Sequence, residues 1–188
     1  MKNYVTLFMV ALLAENVLSQ DVHFSQFFNT PVILNPATTG TGQKNYRLMA
    51  LYKEQWSSVT TPYQSQAVSF DVWLMKNKGL CGGISVVNDK AGDSKMGLTE
   101  ADFSLSSVQQ IAPKNFVSVG IQAGYNQRSV NVTALKWGNQ YNGKSYDPAL
   151  PTGEPQGNDQ FSYVDFATGA YWMGKPSDKL SLNAGFAA

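Results

Sequence analysis

The sequence predicts an all-β protein: an antiparallel transmembrane β-barrel of the outer-membrane type, with this chain supplying about the first half in roughly seven strands. From residue 45 onward, apolar residues alternate with small or polar ones at a period of two, which is typical of strands. Charged residues make up 14% of the 188 residues, against about 25% in ordinary soluble domains. Aromatic residues reach 12%. The net charge is +1, which gives no reason to expect a nucleic-acid partner.

The N-terminus has the three parts of a secretory signal peptide. Lys2 supplies a positive start, and residues 4–14 form an apolar run. Val17 and Ser19 then occupy the small-residue positions before a cleavage site at Ser19-Gln20. The apolar run is shorter than the about 20 residues that a membrane helix needs, and no later stretch reaches that length. We therefore expect residues 1–19 to be removed on export and the remainder to carry no membrane helix.

Residues 20–44 form an N-terminal segment that leads into the barrel. Its first part, QDVHFSQFFNTPVILNPATTG, is too apolar for a solvated tail and too irregular for a helix. Asn35-Pro36 disfavours helix just before the first strand. We expect this segment to pack at the periplasmic mouth of the barrel or inside its lumen, with Phe24, Phe27 and Phe28 buried.

Seven strands are predicted over residues 45–188, which form the incomplete barrel. They cover about residues 45–56, 67–74, 80–87, 98–111, 117–126, 161–172 and 180–188. Turns are expected at residues 77–79, 113–115 and 173–179, and a longer connection at 88–97. A connection at about 129–160, rich in Gly, Asn and Pro, is expected to be functional because loops of this length are uncommon in compact domains.

The fifth predicted strand shows the two faces most clearly. One side carries Val, Ile, Ala and Tyr, as a lipid-facing surface would. The other side carries the set expected to line a polar lumen: Ser118, Gly120, Gln122 and Gly124. Aromatic residues near strand ends fit the girdles of a membrane barrel: Tyr52, Trp56, Trp73, Tyr125 and Trp172.

The strand count leaves the architecture partly open. Bacterial single-chain barrels have an even number of at least eight strands, and the seventh predicted strand stops at Ala188. We expect the chain to be the front portion of a longer barrel, or a truncated product, that inserts poorly or aggregates alone through its open edge. The alternative is a secreted β-sandwich, in which the same alternation separates core from water.

No pattern in the sequence supports a catalytic, cofactor-binding or metal site. Cys81 and His23 are the only cysteine and the only histidine, which excludes an intramolecular disulfide and leaves little for a metal centre or a catalytic triad. Asp89 and Asp93 lack the spacing of an EF-hand calcium loop, so a polar turn is the simpler interpretation.

Two further groups of side chains have structural interpretations. Glu100 and Asp102 are expected on opposite faces of the fourth strand, where they cannot act as a paired acid and base. Trp137, Tyr141 and Tyr146 in the long connection either stack on a sugar or peptide or pack the connection on itself.

Several stretches of the chain resemble a known family. The run at residues 20–40 looks like the mature N-terminus of the PorP/SprF family of type IX secretion system membrane proteins. Four further stretches are similar to the same family: residues 52–71, 83–106, 117–143 and the DPALPTGE run at 147–154. The resemblance covers nearly all of the chain after the signal peptide, although the members of the family are longer.

The resemblance implies a non-enzymatic barrel in the outer membrane of a Gram-negative bacterium, working with the type IX secretion apparatus. The implied partners are outer-membrane lipid, secretion components, and the C-terminal domains of secreted adhesins such as those of gliding motility, held at the cell surface. No catalytic residue, cofactor or metal is carried over. The family-marker or partner-contact positions are His23, Phe24, Ser25, Gln26, Asn35, Pro36, Gly40, Asn88, Asp89, Gly92, Asp93, Trp137, Asp147 and Pro148.

Two other functions stay open on the sequence alone. A polar lumen lined by small side chains leaves room for water, which fits an outer-membrane diffusion channel or small-molecule transporter. A secreted sandwich would instead bind carbohydrate through Trp137 and its neighbours.

Overall fold

The computed structural model describes residues 27–42, 45–59, 61–92, 96–131, 135–153, 160–177 and 180–188. The predicted signal peptide and the marker positions at residues 23–26 lie outside these ranges. The described chain is all-β apart from one short helix, α1 (Pro31–Leu34), and several three-residue 3-10 turns. The strands are β1 (Tyr46–Gln55), β2 (Tyr63–Met75), β3 (Leu80–Ala91), β4 (Met96–Ala112), β5 (Asn115–Ser129), β6 (Gln160–Ser177) and β7 (Leu180–Ala187).

The seven strands form one antiparallel sheet in which every strand pairs with its sequence neighbours, in the order β1 to β7. The connections β2–β3, β4–β5 and β6–β7 lie at one end of the sheet, here termed the turn end because they are short. The connections β1–β2, β3–β4 and β5–β6 lie at the opposite end, here termed the loop end. None of the helical segments in the described ranges has the length and hydropathy needed to span a membrane.

The seven strands occur where the alternation predicts them, but two of the predicted connections are too long. Residues 88–91 and 96–97 belong to β3 and β4, which stay paired up to Ala91 and Met96, so the connection predicted at 88–97 is wrong for these residues. The turn predicted at 173–179 is wrong for residues 173–177, which continue β6. A register shift between Gly174 and Ser177 accommodates the proline at position 176, since proline cannot donate to the strand ladder.

The burial of the two faces is inverted relative to a soluble protein. Large apolar side chains stay exposed on one face, for example Leu48 at 66%, Ile121 at 61% and Phe166 at 79%. Small polar side chains of the other face are buried, among them Ser69, Ser85, Ser104 and Ser118. A sandwich would bury the apolar face against a second sheet, whereas the described residues form a single sheet. The sheet is therefore half of a barrel rather than half of a sandwich.

The polar face is concave, and residues 31–42, here termed the inner segment, lie across it. Asn35 hydrogen-bonds to β7, and five residues later Gly40 hydrogen-bonds to β2. In a flat sheet these two strands would be roughly 24 Å apart at the usual strand spacing. Five residues span at most about 18 Å when extended, and the inner segment is shortened further by the 3-10 turn Pro36–Thr38. The sheet therefore curls around the segment.

Candidate functional site

The inner segment buries six consecutive residues against the concave face. Residues 35–40 are all buried, and Ala37 and Thr39 have no exposed surface. Helix α1 ends at Leu34 because Asn35 takes an extended conformation before Pro36. The helix break predicted at Asn35-Pro36 is confirmed.

Small and polar side chains, rather than aromatic ones, fill this buried run. Phe28 was expected to be buried and is 64% exposed, so that expectation is wrong; Phe24 lies outside the described residues. The face beneath the segment is rich in glycine and serine, which offer little apolar surface. Hydrogen bonds and close backbone packing therefore hold residues 35–40 in place, whereas Ile33, earlier in the segment, packs against Ala67 and Val87 of the sheet.

Asn35 joins the inner segment to the last two strands. Its Nδ2 donates to the carbonyl oxygens of Ala170 in β6 at 3.2 Å and Phe186 in β7 at 3.1 Å. Its Oδ1 accepts from the N–H of Ala37 at 2.8 Å and so caps the 3-10 turn. A side-chain amide supplies both donors and an acceptor, so every polar group of this buried side chain is paired.

Glycines on three neighbouring strands leave the room that the inner segment occupies. A Cβ built on Gly120 of β5 would lie 2.4 Å from the carbonyl carbon of Pro36. A Cβ on Gly169 of β6 would lie 2.0 Å from Asn35 Oδ1, and one on Gly185 of β7 would lie 3.0 Å from its Nδ2. A side chain at Gly120 would displace the main chain of the segment, and one at Gly169 would displace the Asn35 side chain, so these three glycines form its seat.

Hydroxyl groups hold the middle of the inner segment on β4. Thr39 Oγ1 and Ser104 Oγ hydrogen-bond at 2.8 Å, and Ser106 Oγ donates to Thr39 O at 2.6 Å. Within the segment, Thr38 Oγ1 donates to Asn35 O at 2.8 Å. All of these side chains are buried. Each hydrogen bond therefore replaces one that water would make, which keeps the penalty for burying a polar group small.

A partly buried ion pair holds the end of the inner segment. Arg47 Nε on β1 donates to Asp71 Oδ1 on β2 at 2.8 Å, and Arg47 Nη2 donates to Oδ2 at 3.1 Å. Asp71 Oδ2 also accepts from Gly40 N at 2.6 Å, and Nη2 also donates to Thr38 O at 3.1 Å. Gly40 has φ 75°, and a Cβ there would lie 2.1 Å from Cys81 Sγ, so only glycine fits.

Replacing Asn35 with alanine should loosen the inner segment. The change removes a cap worth about 1 kcal/mol and leaves two carbonyl groups without their side-chain donor, at about 1–3 kcal/mol. We expect the free energy of unfolding to fall by about 2–3 kcal/mol in a urea titration of the refolded protein. Asn77→Ala, in an exposed turn, is the matched control and should change it by less than about 0.5 kcal/mol. Equal effects of the two substitutions would show that Asn35 does not hold the segment.

On the loop-end side of the inner segment, carboxylates gather on the concave face. Glu100 and Asp102 share this face, so the expectation that they lie on opposite faces is wrong, because side chains two residues apart in a strand point the same way. A Cβ built on Gly124 would lie 2.6 Å from Asp102 Oδ1 and 2.0 Å from Asp165 Oδ1. The two carboxylates therefore approach each other across a glycine. Ser85 Oγ donates to Asp102 Oδ2 at 3.0 Å.

Three buried polar atoms of β5 have no hydrogen-bond partner in the described part of the chain: Ser118 Oγ, Gln122 Oε1 and Asn126 Nδ2. All three lie on the concave face, four residues apart along the strand, and Ser118 and Gln122 belong to the predicted polar set. Buried polar groups are ordinarily paired, so these atoms mark places where water or a ligand would meet the sheet. The described ranges bring no three His, Cys, Asp or Glu side chains together as a metal ion would need.

Asn88, Asp89 and Gly92 lie at the loop end of the β3–β4 hairpin, and Asp93 lies outside the described residues. Asn88 Nδ2 donates to the hydroxyl of its cross-strand partner in β4 at 2.8 Å, and the Asp89 carboxylate accepts from Ser65 Oγ in β2. Gly92 has φ 67°, a left-handed conformation that favours glycine. These contacts tie three neighbouring strands together near their ends.

Trp137, Asp147 and Pro148 lie in the connection between β5 and β6, which folds around Gln140. This side chain is 6% exposed, and its Nε2 donates to Leu150 O at 3.3 Å. The backbone oxygen of Gln140 accepts from Asp147 N at 2.7 Å, and its Oε1 accepts from Trp137 N at 3.3 Å. Of the two interpretations of this connection, the contacts favour packing on itself.

One of the aromatic residues predicted to form a girdle, Trp73, does not lie with the others. Tyr52, Trp56 and Tyr125 are more than half exposed near the loop end. Trp73 instead lies on the concave face, with its Nε1 3.8 Å from the position of a Cβ built on Gly40. Its assignment to an interfacial girdle is wrong, because it shares the alternation of the buried residue Asp71.

The structure brings only part of the predicted marker set together. Asn35, Pro36 and Gly40 lie in the inner segment, whereas the other described markers lie in two groups at the loop end. Sequence reasoning missed Arg47, Asp71 and the glycine seat. The available signal was a pair of opposite charges at lumen-facing positions of adjacent predicted strands, in a chain with few charges.

Comparison with known proteins gives one family and no individual relative. A model of the family described as "Type IX secretion system membrane protein PorP/SprF" matches residues 16–188. Comparisons with curated proteins and with solved structures give no match. The matched range includes the inner segment and all seven strands. The chain belongs to the PorP/SprF family of type IX secretion system membrane proteins.

Proposed function

We propose that the protein is an outer-membrane β-barrel component of the type IX secretion system that assists the secretion and surface attachment of partner proteins such as gliding adhesins. The observation that carries this proposal is the inverted burial of the sheet, with an exposed apolar convex face and a buried polar concave face. Lipid is the medium that such an apolar face suits. Family membership supplies the secretion system.

The inner segment acts in this proposal as a plug on the lumenal side of the barrel wall. Its support is the run of buried residues 35–40 and the pairing of Asp71 with both Arg47 and Gly40 N. The loop-end marker groups are the surfaces offered to secretion components and to adhesin C-terminal domains. They consist of Asn88, Asp89, Gly92 and Asp93 on one hairpin and Trp137, Asp147 and Pro148 on the long connection.

An outer-membrane location is expected after signal-peptide cleavage near Ser19-Gln20. The protein should resist a high-salt wash of the membrane fraction, dissolve only in detergent, and run faster on gels when unheated than when boiled. Mass spectrometry of the purified protein should show an N-terminus at Gln20. A soluble periplasmic protein, processed alongside, is the control. Release by salt alone would contradict the membrane assignment.

Deleting the gene should remove partner adhesins from the cell surface and reduce secretion. Surface labelling of intact cells and analysis of the culture medium measure the two effects. Complementation with the wild-type gene should restore both, and complementation with Asn77→Ala should do so equally, because Asn77 is exposed in a turn at the opposite end of the sheet from the proposed partner surfaces. Unchanged adhesin display and secretion in the deletion strain would contradict the proposal.

A diffusion channel is the second candidate, and the unpartnered polar atoms of β5 favour it. Water in a lumen would satisfy these atoms. The inner segment occupies the same face, so the reconstituted protein should pass little current until Asn35→Ala loosens the segment. Absence of current from both the wild type and the variant would count against a channel.

A further inference from the structure

On the turn-end side of the inner segment, the concave face holds a cavity of about 410 Å³. Gly40, Thr41 and Gly42 line it from the inner segment, and β2, β4, β5, β6 and the β4–β5 turn supply the remaining walls. Its volume lies within the roughly 300–1,000 Å³ typical of small-ligand sites. Neither the plug role nor the loop-end surfaces make use of this space.

The walls of the cavity are mainly apolar and aromatic. The side chains concerned are Trp73, Val108, Phe116, Tyr171 and Met173. Val108 is 7% exposed, and the other four are half-buried. Such a surface gains free energy by removing apolar ligand area from water, and its aromatic rings offer flat contact surfaces. The cavity therefore suits a ligand with an apolar body.

Polar and charged side chains also line the cavity: Thr41, Gln110, Lys114, Ser118 and Lys175. Ser118 Oγ lies in the wall, 1% exposed and without a protein partner. Lys114 and Lys175 also line the cavity, and the hydrogen bond from Lys175 N to Lys114 O at 3.0 Å sets the two residues side by side. Lys76 and Lys78 add positive charge at the same end, and over residues 76–79, 113–114 and 175–179 the sequence carries five lysines and one acidic residue, Asp178. This excess of positive charge attracts an anion.

We infer that the cavity binds a small anionic amphiphile, with one carboxylate or phosphate head, a medium-length apolar chain, and a further hydroxyl or carbonyl oxygen on that chain. The head lies at the two lysines, the chain lies against Trp73 and Tyr171, and the chain oxygen hydrogen-bonds to Ser118 Oγ. The positive charge selects the anionic head, the aromatic wall selects the apolar chain, and the unpartnered Ser118 hydroxyl selects the oxygen on that chain. The site is distinct from the proposed secretion role and does not depend on it.

Binding can be tested with bromo-undecanoate, because bromine quenches a tryptophan that it touches. The purified full chain, held in amphipol, should show saturable quenching that disappears in Trp73→Phe. Quenching that rises linearly without saturation, or that persists in Trp73→Phe, would overturn the site. The folded state of each variant is checked by heat-dependent gel mobility.

The anionic head is tested through the lysines. Lys175→Ala should weaken binding about five-fold, as expected for one partly exposed charge contact, and high salt should weaken the wild type similarly. Lys76→Ala, at the same end but outside the cavity wall, should weaken binding much less than Lys175→Ala does. Bromo-undecyl phosphate, compared with the carboxylate, identifies which head is preferred. Equal binding of the neutral bromo-undecanol would overturn the charge assignment.

The chain oxygen is tested through Ser118. A hydroxylated undecanoate should bind about three- to ten-fold more tightly than the plain one, and Ser118→Ala should remove that difference. Bound ligand should also slow maleimide labelling of Cys81, which lies beneath Gly40 next to the cavity. Equal affinity for the hydroxylated and the plain undecanoate would overturn the assignment of the chain oxygen to Ser118. All readouts use purified protein, so they are independent of any secretion phenotype.

Discussion

Replacing Gly120 with valine will expel the inner segment from the concave face. A Cβ at this position would lie 2.4 Å from the carbonyl carbon of Pro36 and 2.5 Å from the nitrogen of Ala37. These are main-chain atoms, which cannot rotate away as the end of a flexible side chain can. Overpacking usually costs about 1–3 kcal/mol. Because the buried run 35–40 would also lose its hydrogen bonds, we expect a loss near 3 kcal/mol in the free energy that holds the segment.

Maleimide labelling of Cys81 can measure this displacement. Cys81 is the only cysteine, has no exposed surface, and lies directly beneath Gly40. If labelling requires the segment to open, a loss near 3 kcal/mol should speed maleimide labelling of Cys81 by about a hundredfold, since each 1.4 kcal/mol is a factor of ten. Gly138→Ala is the matched control and should label at the wild-type rate. A Gly120→Val protein that labels no faster would show that the segment is held by other means.

Replacing Asp71 with alanine should be the most destabilising single change at the ion pair. The Asp71 side chain is 3% exposed, and its loss removes the partner of Arg47 and the acceptor of Gly40 N. Breaking a buried pair costs about 3–5 kcal/mol. Arg47 is 21% exposed and keeps some contact with water, so we expect about 3 kcal/mol. Chemical unfolding of the refolded protein measures this loss in the free energy of unfolding.

A double-mutant cycle isolates the pair itself. Arg47→Ala combined with Asp71→Ala should cost less than the two single changes added together, with a coupling of about 1–3 kcal/mol. Asp165→Ala is the control on the same face, because this carboxylate faces that of Asp102 across Gly124 rather than a cation. It should be neutral or stabilising. Additive effects of Arg47→Ala and Asp71→Ala would contradict the direct coupling.

The sequence predicts the sheet well because the period-two pattern is local. Each residue of β5 between Val117 and Asn126 shows its face in the alternation, and the burial follows that alternation. The ends of the strands were harder to predict, since Asn88 and Asp89 look like turn residues but pair across the hairpin. Pro176 likewise resembles a turn signal, although a register shift lets β6 continue past it.

The inner segment was predicted only in outline, and the reason is distance along the chain. Its apolar composition predicts burial, but its contacts depend on strand residues as far as 151 positions away. Nothing local to Asn35 indicates that its amide bridges Ala170 and Phe186. Gly120 likewise shows only that a small residue faces the lumen, without showing what it accommodates.

The bridge made by Asn35 has a consequence for the order of assembly. Its two carbonyl partners lie 135 and 151 residues further along the chain. The inner segment is therefore synthesised early but has no complete seat until β6 and β7 have joined the sheet, and contacts so distant in sequence form slowly. Until then, residues 35–40 stay accessible to proteases and chaperones. Burial of residues 35–40 would therefore indicate that every strand up to β7 has joined the sheet.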